Sequence, residues 1–181
     1  MSLWQSEGGG AETIYIPAGA MTARETNGAA SGSDETTTNK IMIETLDFDA
    51  TTDEFAQFSA RMPKSWNAGT VTAQFVWSHA ATTTNFGVRF FIQGLALADG
   101  DAADTAFGTA VGHTADTGGT TDDIYVTPMT GAVTISNTPA KSGFNYFQIY
   151  RDVSDAGDTL AVDARLHGIV LIYTTDAHTD T

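Results

Sequence analysis

Apolar and polar residues alternate along several stretches of this chain, and that pattern is typical of half-buried β-strands. The alternation is clear in the last regular stretch, Asp158–Thr175, where LAVDARL places apolar residues at every second position. A strand with this period of two presents one face to a core and the other to water. Comparable patterns predict further strands at Glu12–Met21 (with its Pro-Ala-Gly turn), Ile41–Phe48, Asp53–Met62, Thr70–His79, Phe86–Leu97, Asp122–Val126, Gly131–Ile135 and Phe144–Arg151.

These elements amount to eight or nine strands, which turn residues separate. Helical periodicity is weak, and its one candidate, Asp101–Phe107, is expected to form a turn at most. Asp122–Val126 and Gly131–Ile135 are expected to pair as a short hairpin around Thr127–Pro128. The polar segment Thr22–Lys40 is expected to be a long exposed loop. This spacing favours an all-β fold, an antiparallel β-sandwich that is jelly-roll-like.

The alternation stops at Gly168, after which the chain is apolar on both faces of the predicted strand. A strand cannot present such a run to water on either side without a risk of aggregation. We therefore expect this segment to be covered twice, by its own core and by another subunit. The predicted oligomer interface consists of Ile169, Val170, Leu171, Ile172 and Tyr173.

The length of 181 residues suits one domain. We expect a flexible leader at residues 1–11, a single β-sandwich domain at residues 12–176 and a tail at residues 177–181. Eight basic residues against 22 acidic ones give a formal charge of −14. Such a surface repels phosphate backbones and anionic lipids, and no apolar run approaches the length of a membrane span. The sequence therefore predicts neither nucleic-acid binding nor membrane insertion.

The acidic segment that begins at Asp99 is the best candidate for a metal site. Asp99, Asp101 and Asp104 offer three carboxylates around a glycine, and Ca²⁺ takes six to eight oxygen ligands. The spacing is not that of an EF-hand, and the alternative is an ordinary solvated loop without a cofactor. The chain has no cysteine, no paired histidines and no nucleophile elbow, so the sequence predicts no enzyme.

Aromatic residues supply the remaining candidates for ligand binding, because their rings can stack on sugars. Trp77 and Tyr150 lie in phase with core residues, so we expect both to be buried. Trp66 and Tyr125 lie near predicted turns, so these two are the candidate ligand-binding residues.

Several stretches resemble small virion-structural proteins of tailed bacteriophages, of the kind found in environmental viral sequences. The resemblance covers about two thirds of the chain and includes RDVSDAGDTLAVDARLHGI as its most distinctive part. The stretches are TIYIPAGAM near the start, SWNAGTVTAQFVWSHA (Ser65–Ala80), GLALADGDAADTAFGTAV (Gly94–Val111) and FQIYRDVSDAGDTLAVDARLHGIVLIYTTD (Phe147–Asp176).

This resemblance implies a fibre, spike or other head or tail appendage, located in the virion and made in the host cytoplasm. It also implies a homotrimer that contacts other virion proteins, and it brings no catalytic motif to transfer. Host-surface glycans would be recognised through loops such as Ala81–Asn85 and Asp99–Thr121.

Three hypotheses follow. The first is a non-enzymatic phage virion protein that assembles as an oligomer and recognises the host surface. The alternative is a carbohydrate-binding β-sandwich module. A polysaccharide-cleaving enzyme is the least favoured, because it needs two carboxylates that face each other across a cleft and the sequence shows no such arrangement.

Overall fold

Two β-sheets enclose one apolar core in the computed structural model, which describes residues 9–81 and 86–176. The strands of the described segments belong to these two sheets and to a small two-stranded ribbon. Their bounds are β1 Ala11–Pro17, β2 Thr22–Ala23, β3 Ala30–Glu35, β4 Met42–Phe48, β5 Glu54–Arg61, β6 Trp66–His79, β7 Phe86–Val88, β8 Phe90–Leu97, β9 Val111–Gly112, β10 Asp116–Gly118, β11 Tyr125–Val126, β12 Ile135–Ser136, β13 Phe144–Arg151 and β14 Ala164–Thr175.

The first sheet, here called sheet I, has the strand order β11-β6-β14-β4-β3, and β1 pairs with β14 beyond the end of β4. Sheet II has the order β12-β8-β13-β5-β2, with β9 also paired to β8. Strands β7 and β10 form the separate ribbon. Pairing between these strands is antiparallel except between β12 and β8. The predicted fold class, an antiparallel β-sandwich, is therefore confirmed.

The core lies between the two sheets and is built from their inward-facing apolar residues. Phe75 of sheet I stacks on Phe90 of sheet II, with ring centroids 5.0 Å apart. Phe48 meets the same ring edge-on at 5.6 Å. Each strand contributes every second side chain to the core, because alternate residues of a strand point to the same face of the sheet.

The last strand, β14, lies in the middle of sheet I, between β6 on one side and β1 and β4 on the other. Its pairing with β6 shifts between Leu166 and Gly168, which is the register shift of a β-bulge. Because a bulge adds one residue, Leu166 and Ile169 both face the core although three positions separate them. The change of pattern at Gly168 thus reflects a bulge.

This geometry corrects the predicted oligomer interface. Ile169, Leu171 and Tyr173 point into the core of their own chain and are at most 7% exposed. Only Val170 and Ile172, which are half-buried, lie on the outer face of sheet I. An interface on this strand would therefore be made by alternate residues and not by the whole run.

Three other predictions about local structure were wrong. The last strand begins at Ala164 and not at Asp158, because the preceding residues form the loop that leads into β14. Tyr125–Val126 pairs with β6 in sheet I, whereas Ile135–Ser136 pairs with β8 in sheet II, so the expected hairpin does not form. The predicted loop Thr22–Lys40 contains β2 and β3. Strand β3 has the sequence ASGSDE and lies at an edge of sheet I, where hydrogen bonds to β4 hold it without an apolar face.

Some of the predicted segments lie partly or wholly outside the residues that the structure describes. The predicted tail, residues 1–8 of the predicted leader and residues 82–85 of the predicted recognition loop lie outside them. Gly10, within the predicted leader, is tied to the end of β14, since its N–H donates to Thr175 Oγ1 over 3.0 Å and its carbonyl accepts from Thr175 N over 2.9 Å. No helix in the described segments is long and apolar enough to cross a membrane.

A buried ion pair fastens the loop before β14 to one end of the sandwich. The side chains of Arg151 and Asp158 are 0% and 2% exposed and form two hydrogen bonds, of 2.9 and 2.7 Å. The remaining guanidinium donors reach backbone carbonyls, those of Phe48 and Asp49 at 3.2 Å, that of Val162 at 2.9 Å and that of Leu160. Arg151 is therefore saturated by its own chain.

Candidate functional site

Three glutamines form a continuous row across the outer face of sheet II. Gln57, Gln148 and Gln93 are cross-strand neighbours on β5, β13 and β8. Gln57 Nε2 donates to Gln148 Oε1 over 3.0 Å, and Gln148 Nε2 donates to Gln93 Oε1 over 2.9 Å. Gln93 Nε2 in turn donates to the carbonyl of Gly108 over 3.0 Å. These bonds fix the orientation of the amides, which we call the amide row.

The amide row keeps hydrogen-bonding capacity after these internal bonds are made. Each side-chain amide has two N–H donors and a carbonyl oxygen with two lone pairs, and the row uses only part of them. Gln57 Oε1, at the end of the row, accepts no hydrogen bond from the residues that the structure describes. The row therefore offers fixed donors and acceptors to a ligand above the sheet.

An aromatic ridge runs parallel to the amide row, two residues further along the strands. Phe55, Tyr150 and Phe91 stack across β5, β13 and β8, with centroid distances of 5.1 and 5.3 Å. The guanidinium groups of Arg24 and Arg89 lie over the two end rings, at 4.0 and 5.2 Å. Because the ring faces are occupied in this way, the ridge is a wall and not a stacking platform. Burial raises the pKa of Tyr150, so its hydroxyl stays neutral at physiological pH.

The other side of the amide row opens into a cleft of 610 Å³. Tyr146 lies on the floor of this cleft, is 40% exposed and stacks on no other ring in the described part of the chain. The segment 103–107 forms a wall and contributes Asp104 and Phe107. The other residues that line the cleft are Arg24, Gln57, Leu95, Leu97, Ala103, Thr105, Ala106 and Gln148.

This combination of groups suits a ligand that is polar around its rim and apolar on its faces. Ligand sites of about 300–1,000 Å³ commonly join apolar walls to a few fixed polar groups. Here the Tyr146 ring and Leu97 supply apolar surface, while Gln57 and Gln148 supply amide hydrogen bonds. A sugar ring, with hydroxyls at its edge and C–H groups on its faces, matches both kinds of surface.

The predicted ligand-binding residues lie elsewhere. Trp66 begins β6 and is 0% exposed, so its expected place at an exposed turn was wrong and its ring has no free face. Tyr125 is half-buried in sheet I, where its ring stacks on His79 with centroids 5.6 Å apart. Its hydroxyl accepts from Gly119 N over 2.9 Å and donates to the carbonyl of Thr120 over 3.0 Å. These contacts hold the adjacent loop.

Of the two aromatic residues that were expected to be buried, one lies in the core and the other does not. Trp77 is 0% exposed, as predicted, and donates from Nε1 to Asp116 Oδ2 over 2.8 Å. Tyr150 was expected in the core, but it lies on the outer face of sheet II as the centre of the aromatic ridge. The alternation of Phe144–Arg151 shows two faces without showing which one meets the core, so Tyr150 was assigned to the wrong face.

The acidic segment does not gather its carboxylates as the predicted metal site requires. Asp101 Oδ2 accepts from the backbone N–H of Ala98 over 2.8 Å and from Asn137 Nδ2 over 2.9 Å, so it closes a turn. Asp104 lines the cleft, apart from that turn. In the described residues, which include Asp99, no three acidic or histidine side chains converge on a metal position. The calcium site predicted at Asp99, Asp101 and Asp104 is therefore not formed.

Another pocket, of 240 Å³, lies on the outer face of sheet I. His167 Nε2 and Ser78 Oγ are 2.8 Å apart there, and burial lowers the pKa of His167. Arg165 bridges Asp34 and Asp122 at 2.9 and 3.0 Å on its rim. Ser78 is only 4% exposed, so this pair holds β6 against β14 and offers little surface to a ligand.

No protein-family model matches the chain, and no curated protein matches it either. Among solved structures it is similar to a cycloisomaltooligosaccharide glucanotransferase from Paenibacillus sp. complexed with cycloisomaltoheptaose (TM-score 0.49, 14% identity), over 86% of this chain but only 18% of that one. It is also similar to a family 11 carbohydrate-binding module from Clostridium thermocellum in complex with a β-1,3-1,4-mixed-linked tetrasaccharide (TM-score 0.46, 8% identity), over 94% of this chain and 99% of that one.

A viral structure is also among the solved structures to which the chain is similar. The Gx strain of infectious bursal disease virus matches 95% of this chain and 35% of the viral chain, with a TM-score of 0.36 and 11% identity.

Proposed function

We propose that this protein is a non-enzymatic carbohydrate-binding β-sandwich module, which binds a glycan in the cleft on the outer face of sheet II. The observation that supports this proposal most directly is the placement of the amide row beside the open ring of Tyr146. The amides provide fixed hydrogen bonds to hydroxyls, and the ring provides a surface for the C–H face of a sugar.

The cleft does not favour glycoside hydrolysis. That reaction uses two carboxyl groups, about 5–10 Å apart, on opposite sides of the scissile bond. Asp104 is the one acidic residue among those that line the cleft. Binding without cleavage is therefore the activity that we assign.

The test is to screen the protein on an array of oligosaccharides and to titrate the strongest ligands by calorimetry. Tyr146→Ala should weaken binding by about tenfold or more, as truncation of an aromatic hot spot does. Tyr15→Ala is the matched control, since Tyr15 is similarly exposed, at 53%, but lies on β1 in sheet I. Equal affinity of the wild type and Tyr146→Ala would refute this site, and no bound glycan would refute the function.

A second candidate function, a subunit of a phage virion appendage, is favoured by the outer face of sheet I. Tyr15 and Val170 are direct neighbours there across β1 and β14, and Ile172 lies two residues along the same face. Tyr15 is exposed, and the two aliphatic side chains are half-buried. Such a strip suits contact with further copies of the chain, as the expected homotrimer requires.

Light scattering coupled to size exclusion tests this second candidate at low micromolar protein. A trimer should give three times the chain mass of 19.1 kDa, and Val170→Asp should return it to 19.1 kDa. A wild-type mass of 19.1 kDa would contradict it. The two candidate functions are compatible, because the strip and the cleft lie on different sheets and a virion appendage can bind host-surface glycans.

A further inference from the structure

Arg24 brings a positive charge to the edge of the cleft, and no described carboxylate forms an ion pair with it. Its backbone N–H donates to the carbonyl of Phe55 over 3.2 Å, and its guanidinium carbon lies 4.0 Å from the centre of the Phe55 ring. Within residues 9–81 and 86–176, the guanidinium takes part in no ion pair or hydrogen bond. The side chain is half-buried and lines the cleft.

The lack of a partner is informative in a chain with 22 acidic and eight basic residues. Arg89, Arg151 and Arg165 each pair with a carboxylate at 3.3 Å or less. A carboxylate partner for Arg24 would therefore be easy to supply from the surrounding surface. None of the described carboxylates takes that place, and the Arg24 side chain lines the cleft.

The way Arg24 is held leaves its donors available to a ligand. A guanidinium that stacks on an aromatic ring uses its face, and its N–H groups point outward in its own plane. That planar fork can donate two parallel hydrogen bonds to one carboxylate. Phe55 and Gln57 point to the same side of β5, so Arg24 lies beside the end of the amide row.

We propose that the ligand of this cleft is an acidic glycan, in which the carboxylate of a uronic or sialic acid residue binds Arg24. The inference rests on the proposed carbohydrate-binding function and names the class of sugar. The adjoining hydroxyls bind the amide row, and the face of the sugar ring packs on Tyr146. Asp104 lies on the wall of the same cleft and orients the ligand, because it accepts from hydroxyls and repels the carboxylate.

The net charge of −14 does not oppose this assignment at close range. At physiological ionic strength, charges further apart than about 8 Å are largely screened. The groups that line the cleft therefore decide the local field, and these include one arginine and one aspartate.

The experiment uses an array of neutral, carboxylated and sulfated oligosaccharides, followed by calorimetry with the strongest carboxylated ligand and with its methyl ester. Esterification removes the charge and keeps the sugar. The acid should bind about tenfold or more tightly than the ester, as charge-assisted bidentate hydrogen bonds are strong. Arg24→Gln should abolish this preference, because it weakens binding of the acid about tenfold or more and binding of the ester much less.

Arg61→Gln is the matched control. It removes the same charge from another arginine that lies over a ring, that of Phe144 at 5.6 Å, outside the cleft lining. Arg61 is the last residue of β5, so its backbone lies roughly 20 Å along the strand from that of Phe55. The preference for the acid should survive in this variant.

The possible outcomes distinguish failure of the acidic-glycan inference from failure of the proposed carbohydrate-binding function. Binding of neutral glycans that Tyr146→Ala removes, with no preference for the acid, would overturn the inference and keep the function. Preference for sulfated over carboxylated sugars, or an acid preference that survives Arg24→Gln, would also overturn it. Absence of binding to every glycan on the array would overturn both.

Discussion

Two arginines at different places in the sandwich show how differently the same side chain is used. Arg151 is fully buried, and its donors are taken up by Asp158 and by backbone carbonyls of two segments. Arg24 is half-buried, and its guanidinium lies over the ring of Phe55 without an ion pair to the described residues. The saturated arginine fixes the loop before β14, and the other lines a cleft and forms no ion pair with the residues that the structure describes.

The contrast extends to the residues around each arginine. Near Arg151, the backbone N–H of Arg89 also donates to Asp158, and the Arg89 side chain reaches the carbonyl of His113. Near Arg24, the amide row keeps unused donors and acceptors, and Tyr146 stacks on no other described ring. The donors of Arg151 are taken up within the chain, which favours a structural role, whereas the amide row has donors and acceptors left for a ligand, which favours binding.

The largest expected effect is loss of stability on breaking the buried ion pair. Arg151→Met leaves the carboxylate of Asp158 buried without its partner, and the free energy of unfolding should fall by about 3–5 kcal/mol. Urea unfolding followed by tryptophan fluorescence measures this change. Asp158→Asn is a milder variant that should also be less stable than the wild type. It can be measured instead if Arg151→Met does not fold.

Arg165→Met is the control for this prediction. Arg165 is partly exposed and pairs with Asp34 and Asp122, which are more than half exposed. Exposed pairs contribute about 0–1 kcal/mol, so this variant should unfold nearly as the wild type does. Equal stability of the Arg151 and Arg165 variants would contradict the structural role of Arg151.

A smaller effect is expected from pH in the same region. His113 is 1% exposed; its Nε2 accepts from Phe90 N over 3.0 Å, and its Nδ1 lies 2.6 Å from the carbonyl of Thr114. Burial, with the nearby charge of Arg89, lowers the pKa of His113 below 6.5. The unfolded chain therefore binds this proton more readily, so stability is full above about pH 6.5 and falls as the pH drops below it.

Urea midpoints at pH 7.5 and 5.5 measure this dependence. His113→Gln keeps a side-chain acceptor but does not titrate, so the loss between these pH values should be smaller in that variant. The loss should not vanish, because burial also lowers the pKa values of His79 and His167. An unchanged loss in His113→Gln would show that His113 does not contribute to it.

The smallest effect on stability is expected at Arg24. Its contact with Phe55 is a cation–π interaction at a partly exposed site, which contributes roughly 0.5–1 kcal/mol. Arg24→Gln should therefore lower the free energy of unfolding by about 1 kcal/mol or less while it changes glycan preference. A loss comparable to that of Arg151→Met would mean that Arg24 is structural, and the comparison between the two arginines would fail.

Long strands that are rich in apolar residues could be predicted from the sequence. Phe144–Arg151 was predicted with the bounds that the structure has, because aromatic and aliphatic residues occupy both faces of this eight-residue stretch. Strand β3 was missed since an edge strand of small and polar residues carries no apolar period. The hairpin at Asp122–Ile135 was wrong because short strands can pair with whichever longer strand lies nearby, and this is set by tertiary structure.

The site was much less predictable than the fold. Gln57, Gln93 and Gln148 are far apart in the sequence, and only the register of three strands brings their amides into one row. A sign of the row is present, because each glutamine interrupts a largely apolar strand at an outward position. Trp66 was predicted as a ligand-binding residue because it lies near a turn. Its ring is instead part of the core, which a large apolar side chain at the start of a long strand can reach.

The measurement that tests the central claim most directly is an NMR titration of the ¹⁵N-labelled protein with the strongest glycan from the array. The side-chain amide signals of Gln57 and Gln148 should shift in proportion to occupancy, together with the backbone signal of Tyr146. The backbone signals of Val170 and Ile172 on sheet I should stay in place. Shifts confined to sheet I, or unchanged glutamine amides at saturating glycan, would contradict the cleft as the binding site.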